Sequence, residues 1–481
     1  MFHHRIHRTI VFALALLLAA SSIASAPPTA TAAPVAPAAS EPFRYFSETG
    51  HNIGTRIKTF YEANGGVGIF GLPLTEVIQE NGLEVQYFER ARFELHPEFE
   101  PAYYISITQL GRALVEGRID GPFTPVMAVD DEQTTFFPQT GHTLRLGFRA
   151  FWQANGGLKV FGYPLSEEFS EISPDDGREY TVQYFERAKF EYHPETPERS
   201  VQLARLGALA LDRSGLPENV RARVPAISVI GTATTGYYGS IAERVNNIAR
   251  GAERMNGHIV APGATFSFNT ALGSAGSEDG FVEGYAIVNG QLEKVTGGGI
   301  CQISTTMYRA VFNAGLEIVE RRAHSYVINF YENIDGFDAT VFAPLVDFKW
   351  RNDTSGPVYM MASTNVKAAT ATFTLYGFNE GRQTKMVGPT VKNVKQPGRA
   401  NWQFDPSLKR GEVRQLVHGR PGMDVDMRRV VTGANGQVIH NNFLPSRYRP
   451  WEDFFIYGPG VTPPKGVNII PAKTKAKPRR P

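Results

Sequence analysis

A single cysteine follows a run of three glycines in the second half of the chain. Cys301 comes directly after Gly297 to Ile300, and apolar side chains then recur at helical spacing until Gly315, a typical helix C-cap. This pattern predicts that Cys301 lies at a helix N-terminus, where free amides and the helix dipole favour the thiolate over the thiol. Because the thiolate is the nucleophilic form of cysteine, the residues point to covalent catalysis through sulfur.

A histidine and an aspartate follow the predicted helix. His324 is predicted to lie on a strand, and Asp338, fourteen residues further on, to open the next strand after the Asp335-Gly336 turn. In sites with an activated cysteine, an imidazole takes the thiol proton and a carboxylate orients the imidazole. We therefore assign candidate catalytic roles to Cys301, His324 and Asp338.

The backbone beside the cysteine is the predicted oxyanion site, and two other interpretations of the cysteine stay open. The amide of Cys301, together with Gln302 or the amide of a glycine such as Gly299, is predicted to donate to a developing oxyanion. In the second interpretation, Cys301 is a small buried apolar residue after a tight glycine turn. The third is a mononuclear metal held by Cys301 and His324, for which further ligands are not evident in the sequence. We predict no metal and no cofactor.

Helices and short strands with glycine-rich turns are predicted to position these residues. A helix is expected over residues 240–255, with its end at Asn256-Gly257. Strands are expected at residues 318–321 and 326–331, after the helix that begins at Cys301. The candidate site would therefore combine a helix N-terminus with two neighbouring strands.

The composition limits what kind of protein this is. With 481 residues, the chain is long enough for about three or four domains, and 42% apolar against 20% charged residues excludes wholesale disorder. The balance of 49 basic and 47 acidic residues leaves no overall positive charge to hold nucleic acid, so we predict no nucleic-acid partner. One cysteine excludes an intramolecular disulfide and any zinc site with two thiolates.

Several segments around the cysteine resemble the VanW family. The segments that carry the resemblance are Asn246-Asn247-Ile248, Pro262 to Asn269, Gly284-Tyr285, Gly297 to Thr305, Glu320-Arg321, His324-Ser325 and Asp338 to Val341. The family is named from accessory genes beside vancomycin-resistance operons, and its members are typically exported or membrane-anchored. The resemblance covers about a third of the chain and implies a protein of the cell envelope.

The order of the three candidate catalytic residues is similar to that of transglutaminase-like thiol enzymes. The similarity rests on Gly299-Ile300-Cys301 opening a helix, followed in turn by the histidine and the aspartate. It implies acyl transfer or hydrolysis at an amide bond.

The first half of the chain contains an internal repeat. Thr49-Gly50-His51 recurs as Thr140-Gly141-His142 with an offset of 91. Residues 85–98 recur as 182–195 with an offset of 97, which predicts a six-residue insertion in a surface loop. We predict two copies of one small α+β fold, each with its own core. The copies resemble short repeats of bacterial wall proteins through Phe-Gly-x-Pro at residues 70–73 and 161–164.

Each copy is rich in aromatic residues. These side chains are suited either to stacking on sugar faces or to filling two small cores, and the second interpretation is favoured. They are Tyr61, Tyr87, Phe88, Phe93, Trp152, Tyr184, Phe185 and Phe190. Between the copies, the acidic cluster Asp130 to Glu132 is interpreted as a solvated loop rather than a calcium site.

The two ends of the chain predict export and contact with the envelope. Residues 1–26 have the basic, apolar and small-residue regions of a secretory signal, with a retained membrane anchor as the alternative. Residues 27–42 form a linker rich in alanine and proline. Residues 381–460, which include an Asn435-Gly436 hairpin, resemble the five-glycine domain associated with polymers that contain N-acetylglucosamine. Residues 461–481 are predicted to be a disordered basic tail that rests on an anionic surface or stays solvated.

We predict a multidomain α+β protein. It has two small α+β repeats (43–125 and 134–215), a mixed α+β VanW-like domain with a helix followed by antiparallel strands (225–380), and a β-rich C-terminal domain (381–460). The predicted function is that of an extracytoplasmic, secreted or envelope-associated protein that acts on peptidoglycan amide bonds through Cys301, His324 and Asp338. The alternative is a non-catalytic scaffold or binding protein for peptidoglycan or another wall glycan.

Overall fold

A computed structural model describes residues 42–100, 103–174, 176–288, 291–331 and 334–471. The predicted signal peptide, the linker up to residue 41 and residues 472–481 of the predicted tail lie outside the described residues. The described chain has the predicted α+β class, with short helices and many antiparallel sheets. In this part of the chain no helix is long and apolar enough to cross a membrane.

The two repeats have the same order of elements. The first copy contains β1 (Phe43–Phe46), β2 (His51–Gly54), α1 (Thr55–Ala63), α2 (Gly66–Phe70), β3 (Ile78–Glu80), β4 (Leu83–Tyr87), β5 (Arg92–Leu95), β6 (Ile105–Ile107) and α3 (Leu110–Leu114). The second contains β7 (Thr134–Phe137), β8 (His142–Arg145), α4 (Leu146–Ala154), α5 (Gly157–Val160), β9 (Phe169–Ile172), β10 (Glu179–Tyr184), β11 (Lys189–Tyr192), β12 (Val201–Leu203) and α6 (Leu206–Arg213). Each copy forms a two-stranded ribbon and a four-stranded antiparallel sheet.

The two copies share one hydrophobic core, whereas the sequence predicted a separate core for each. Phe88 and Phe93 of the first copy belong to the same buried cluster as Phe185 and Phe190 of the second. All the aromatic residues considered for sugar stacking are buried except Trp152, which is partly buried. Their burial favours the core interpretation over the sugar-binding one.

Each copy places its last helix against the hairpin of the other copy. The amide of Arg112 in α3 donates to the Glu186 carbonyl, and the amide of Ala208 in α6 donates to the Glu89 carbonyl. A methyl group on Gly207 would lie 2.0 Å from the Phe88 carbonyl oxygen, so only glycine allows this approach. Because each copy contributes its last helix to the other copy, neither copy has a complete core of its own.

Replacement of Gly207 by alanine is expected to destabilise the repeats by about 1–3 kcal/mol, because the backbone of the facing hairpin must move. Thermal unfolding of the full chain measures the effect. Gly147→Ala is the matched control, since its added methyl group meets no atom within 4 Å and its position is exposed. Equal unfolding temperatures for the two variants would contradict the exchanged packing.

The middle domain packs one buried helix against a four-stranded sheet. Its elements are β13 (Ile227–Gly236), α7 (Ala242–Met255), β14 (Ile259–Val260), β15 (Thr265–Ser267), α8 (Phe268–Leu272), β16 (Glu283–Val288), β17 (Gln291–Thr296), α9 (Cys301–Ala314), β18 (Glu317–Glu320), β19 (Lys349–Arg351), β20 (Val358–Asn365) and β21 (Thr370–Phe378). The strand order of the main sheet is β13-β21-β20-β14, and α9 lies on β13 and β21. The observed bounds of α7 confirm the helix predicted to end at Asn256-Gly257.

The C-terminal domain is built from two sheets. Its strands are β22 (Gln383–Lys395), β23 (Asn401–Phe404), β24 (Val413–Val417), β25 (Gly422–Thr432), β26 (Val438–Tyr448), β27 (Phe454–Tyr457) and β28 (Asn468–Ile470). The predicted Asn435-Gly436 hairpin joins β25 to β26. Part of the predicted tail is a strand rather than disordered chain, because β28 pairs in parallel with β23 and the Asn468 amide donates to the Ala400 carbonyl.

A buried arginine joins the C-terminal domain to the end of α9. Arg429 in β25 is 0% exposed, and its guanidinium donates to the carbonyls of Val311 (3.2 Å), Phe312 (3.1 Å) and Leu316 (2.7 Å). The Val311 and Phe312 carbonyls belong to the last turn of α9 and also accept from the amides of Leu316 and Gly315, whereas the Leu316 carbonyl lies just after the helix. The helix that begins at Cys301 is thus held at its far end by another domain.

Candidate active site

Helix α9 begins at Cys301, as the sequence predicted. Gly297 and Gly299 have φ angles of +82° and +113°, which glycine adopts readily. A methyl group on Gly298 would lie 2.5 Å from the Gly284 carbonyl carbon. The three glycines therefore allow the chain to turn tightly into the helix against its neighbours.

The thiol is partly enclosed by the chain that follows Asp338. Cys301 Sγ lies 3.5 Å from Thr340 Oγ1 and 3.6 Å from the Val341 carbonyl oxygen. Cys301 as a residue is partly exposed, and it also interacts with the imidazole of His324. The helix start therefore faces both a base and a nearby polar loop.

The structure brings the predicted histidine and aspartate together. His324 Nδ1 lies 2.5 Å from Asp338 Oδ2, and the His324 amide donates to the same oxygen at 2.8 Å. Because Nδ1 is engaged by the carboxylate, Nε2 is the ring nitrogen available to accept the proton of the thiol. Tyr331 packs against the imidazole with 5.4 Å between ring centres.

Two further side chains bind the carboxylate of Asp338, which is buried. The Tyr448 hydroxyl donates to Oδ1 at 2.5 Å, and Arg321 Nη2 approaches the same oxygen at 3.3 Å. Burial alone would raise the pKa of Asp338, but the hydrogen bonds and charges of His324 and Arg321 hold that pKa well below its usual range. Asp338 is therefore a fixed anion beside the imidazole.

The thiol and the imidazole are poised to exchange a proton. Burial opposes ionisation of the thiol, but the hydrogen bond and charge of His324 outweigh it and lower the pKa of Cys301 to about 7. Burial likewise disfavours the imidazolium, but the hydrogen bond to Asp338, with a smaller contribution from Cys301, raises the pKa of His324 to about 9. Near neutral pH the two groups therefore favour a thiolate and imidazolium pair.

His324 and Asp338 lie on loops, which corrects the prediction of two adjacent strands. Strand β18 ends at Glu320, and residues 329–331 form a short 3-10 helix where a strand was expected. One backbone hydrogen bond, from the Thr340 amide to the Arg322 carbonyl, joins the two loop segments. Side chains, rather than a strand ladder, hold most of this region.

Polar side chains of α9 fix the loop that carries the aspartate. Ser304 and Thr305 donate through their hydroxyls to the Ala339 carbonyl at 2.7 and 3.0 Å. Arg309 donates to the carbonyls of Phe337 and Tyr331. The helix that presents the thiol therefore also positions the carboxylate, which is the arrangement that a preorganised site requires.

The predicted oxyanion donors differ in what they contact. The Gln302 amide donates to the Gly299 carbonyl at 2.9 Å, and the Gln302 side chain is held by Arg244, Thr235 and Gly236. Gln302 is thus engaged in supporting the start of the helix. The amides of Gly299 and Cys301 have no protein acceptor among the described residues, so they are the donors that remain for an oxyanion.

A metal is the remaining interpretation of the cysteine. Within the described ranges, no group of three or more His, Cys, Asp or Glu side chains is arranged to hold a metal ion. Asp338, the carboxylate nearest His324, is already engaged by Arg321 and Tyr448. The contacts around the thiol match proton transfer better than metal ligation.

Sequence reasoning missed Tyr448 as part of this site. The residue lies at the end of β26, 110 positions after Asp338, and the sequence showed it only as part of a strand. Arg321 stood in a segment that carries the family resemblance, but its pairing with Asp338 was not foreseen. A tyrosine that reaches the site from another domain has no local signal in the sequence.

Tyr448→Phe is expected to lower the free energy of unfolding at pH 7 by about 1.5–3 kcal/mol, because a hydrogen bond to a charged acceptor is lost. Loss of this donor also raises the pKa of Asp338. A carboxyl group whose pKa is lower in the folded than in the unfolded protein stabilises the fold at pH values above its unfolded pKa. The difference from wild type should therefore shrink as the pH falls below that unfolded pKa.

Urea unfolding at several pH values measures this effect. Tyr326→Phe is the control, since the Tyr326 ring packs against Trp451 and its hydroxyl has no hydrogen bond among the described contacts. A Tyr448→Phe variant as stable as the control would contradict the contact with Asp338.

Comparisons with known proteins agree on the region that carries the site. The family model described as "VanW like protein" matches residues 243–376. YoaR of Bacillus subtilis (strain 168) is 36% identical over 133 residues, 28% of this chain and 43% of that protein. The "Vancomycin B-type resistance protein VanW" of Enterococcus faecalis (strain ATCC 700802 / V583) is 35% identical over 115 residues, 23% of this chain and 42% of that protein. The chain thus spans less than half of each of these relatives.

A solved structure also matches part of the chain. It is described as "Crystal structure of HP0197-G5", and the match has 22% identity and a TM-score of 0.09 over 16% of this chain and 97% of that one. This score is too low to support an argument about the fold or the ligand of the C-terminal domain. The family model and the two relatives instead agree on the middle of the chain: residues 243–376 are similar to VanW-like proteins, and Cys301, His324 and Asp338 all lie within this range.

Proposed function

We propose that the VanW-like domain is a thiol enzyme that cleaves or transfers amide bonds in the cell envelope. The observation that carries the proposal is the thiol at a helix start beside an imidazole that Asp338 orients. The same three roles serve acyl transfer in other cysteine enzymes. Cys301, His324 and Asp338 are the proposed catalytic residues.

The chemistry proceeds in two steps. The Cys301 thiolate attacks the amide carbonyl carbon and forms a carbon–sulfur bond, and the amides of Cys301 and Gly299 donate to the oxyanion. As the carbon–nitrogen bond breaks, Nε2 of His324 gives its proton to the leaving amine. Water or a second amine then attacks the thioester and gives its proton to His324, and the carbon–sulfur bond breaks to release the Cys301 thiolate.

Peptidoglycan stem peptides are the proposed substrates. The N-terminal residues have the pattern of a secretory signal, and the repeats resemble those of wall proteins. One relative carries vancomycin B-type resistance in its name, which supports a proposal at the cell envelope. We therefore propose an extracytoplasmic location and a cell-wall polymer as partner, with the basic residues after 472 as a contact to an anionic surface.

Incubation of the full chain with purified peptidoglycan tests the proposal, with mass spectrometry of the released peptides. New amine and carboxyl ends that appear with wild type and not with Cys301→Ala are the expected result. His440→Ala is the control, since His440 forms a similar pair with Asp353 (2.8 Å) away from the thiol. Equal products from wild type and Cys301→Ala would contradict catalysis through sulfur.

Activity should follow a bell-shaped pH profile. The nucleophile must be ionised, so activity rises as the pH passes the Cys301 pKa of about 7. The general acid must be protonated, so activity falls as the pH passes the His324 pKa of about 9. Rates at constant ionic strength across this range measure both limbs. The rates should be measured from about pH 6 to about pH 10, which is about one unit beyond each pKa. A flat profile over this range would contradict the assigned roles.

A non-catalytic envelope protein is the second candidate. The observation that favours it is the close cover of the thiol by Thr340 and Val341. In this alternative, Cys301 reacts with iodoacetamide only when the chain is unfolded, and Cys301→Ala binds peptidoglycan as wild type does. Reaction of the thiol in the folded protein would favour the enzyme.

A further inference from the structure

A cleft with a volume of about 900 Å³ opens beside His324. One wall is the loop of residues 321–325, and the other is formed by the ends of β22, β25 and β26. His324 and Tyr448 line this cleft and also belong to the proposed catalytic site. A ligand in the cleft would therefore lie next to the imidazole.

The cleft is rich in unpaired positive charge. Arg322, Lys395 and Arg449 line it, are exposed, and have no ion-pair partner among the described residues. Arg447 also lines it and is shared between Asp424 (3.6 Å) and Asp426 (2.9 Å). Asp424 is the one carboxylate among the residues that line the cleft. Since the whole chain carries a net charge of only +2, this concentration of cations is local.

We propose that this cleft binds the free carboxylates of an anionic peptide and places one of its amide bonds at Cys301 and His324. The proposal rests on the proposed function and names the class of substrate. The guanidinium groups of Arg322 and Arg449 can bind carboxylates through paired hydrogen bonds, and Lys395 adds a third cation from the end of β22. The volume is that of a compact ligand pocket, which favours a short peptide over an extended phosphate polymer.

The test measures binding without catalysis. A short fluorescent peptide with glutamate side chains and a free C-terminal carboxylate is titrated, by anisotropy, with the full chain carrying Cys301→Ala. The control peptide has the same sequence with every carboxylate converted to an amide. We expect the carboxylate peptide to bind, the amidated control peptide to bind about tenfold more weakly, and the affinity to fall as salt is added.

Three substitutions remove the unpaired cations. Arg322→Gln, Lys395→Gln and Arg449→Gln, combined in the Cys301→Ala chain, are expected to weaken binding about tenfold. The control carries Lys367→Gln, Lys385→Gln and Lys465→Gln, which remove the same charge at exposed positions outside the cleft. Thermal unfolding should show that both variants are folded.

Three outcomes would overturn the proposal: equal affinity for the two peptides, equal weakening by both sets of substitutions, or binding of inorganic polyphosphate but not of the carboxylate peptide. A wild-type chain that binds the peptide without cleaving it would instead refute the enzyme and leave the binding site standing. The failure of one proposal is therefore distinguishable from the failure of the other.

Discussion

Replacing His324 with alanine is expected to raise the pKa of Cys301 from about 7 to its ordinary value of 9.0 or above. The reason is that the interactions that lower this pKa most are the hydrogen bond and the charge of His324, while burial of the thiol opposes them. A change of two pKa units corresponds to about 2.7 kcal/mol of lost thiolate stabilisation. At pH 7 the ionised fraction of the thiol would then fall from about one half to about 1%.

The rate of alkylation should fall less than the ionised fraction. A thiolate of higher pKa is more nucleophilic, and this gain offsets part of the loss. We therefore expect iodoacetamide to react with the variant about fivefold more slowly than with wild type at pH 7. Because Cys301 is the single cysteine, the mass of the alkylated chain, followed over time at each pH, reports on this residue alone.

His440→Ala is again the matched control, since it removes an imidazole that is paired with an aspartate but is not beside the thiol. It should leave the pKa of Cys301 unchanged. If His324→Ala and His440→Ala both titrate like wild type, the imidazole does not stabilise the thiolate, and the non-catalytic candidate becomes the better explanation.

Replacing Arg429 with methionine is expected to destabilise the protein by about 2–4 kcal/mol, because a buried hydrogen-bond network is lost. The guanidinium is fully buried and donates to three carbonyls at the end of α9. Burial lowers the pKa of Arg429 to about 10, yet the group stays charged at neutral pH and its hydrogen bonds satisfy the helix end. Methionine fills part of the volume but removes all three of these hydrogen bonds, and the Leu316 carbonyl loses its guanidinium donor, which is the costly case for buried polar groups.

Arg428→Met provides the comparison for this variant. Arg428 is the adjacent residue of β25, and its side chain is exposed beside Asn441. Its substitution should change the free energy of unfolding by about 0.5 kcal/mol or less in urea or thermal unfolding. Equal effects of the two variants would show that Arg429 does not hold the helix end.

The sequence by itself determined the features that depend on neighbours along the chain. The glycine run before Cys301, the helical spacing after it and the cap at Gly315 act within a few residues, and α9 begins and ends where they indicate. The Asn435-Gly436 turn between β25 and β26 is local in the same sense. The duplication was also visible, because the copies keep their residue types in order.

Only the tertiary structure decided how distant segments meet. His324 and Asp338 lie on loops held by side chains of α9 rather than on the predicted strands, and Tyr448 reaches Asp338 from a sheet of another domain. The last helix of each repeat packs against the hairpin of the other repeat, and most of the aromatic residues that seemed to complete each copy fill one common core. The physical reason is that residue spacing reports local backbone preferences, whereas these contacts depend on burial and hydrogen bonding between segments separated by up to about a hundred residues.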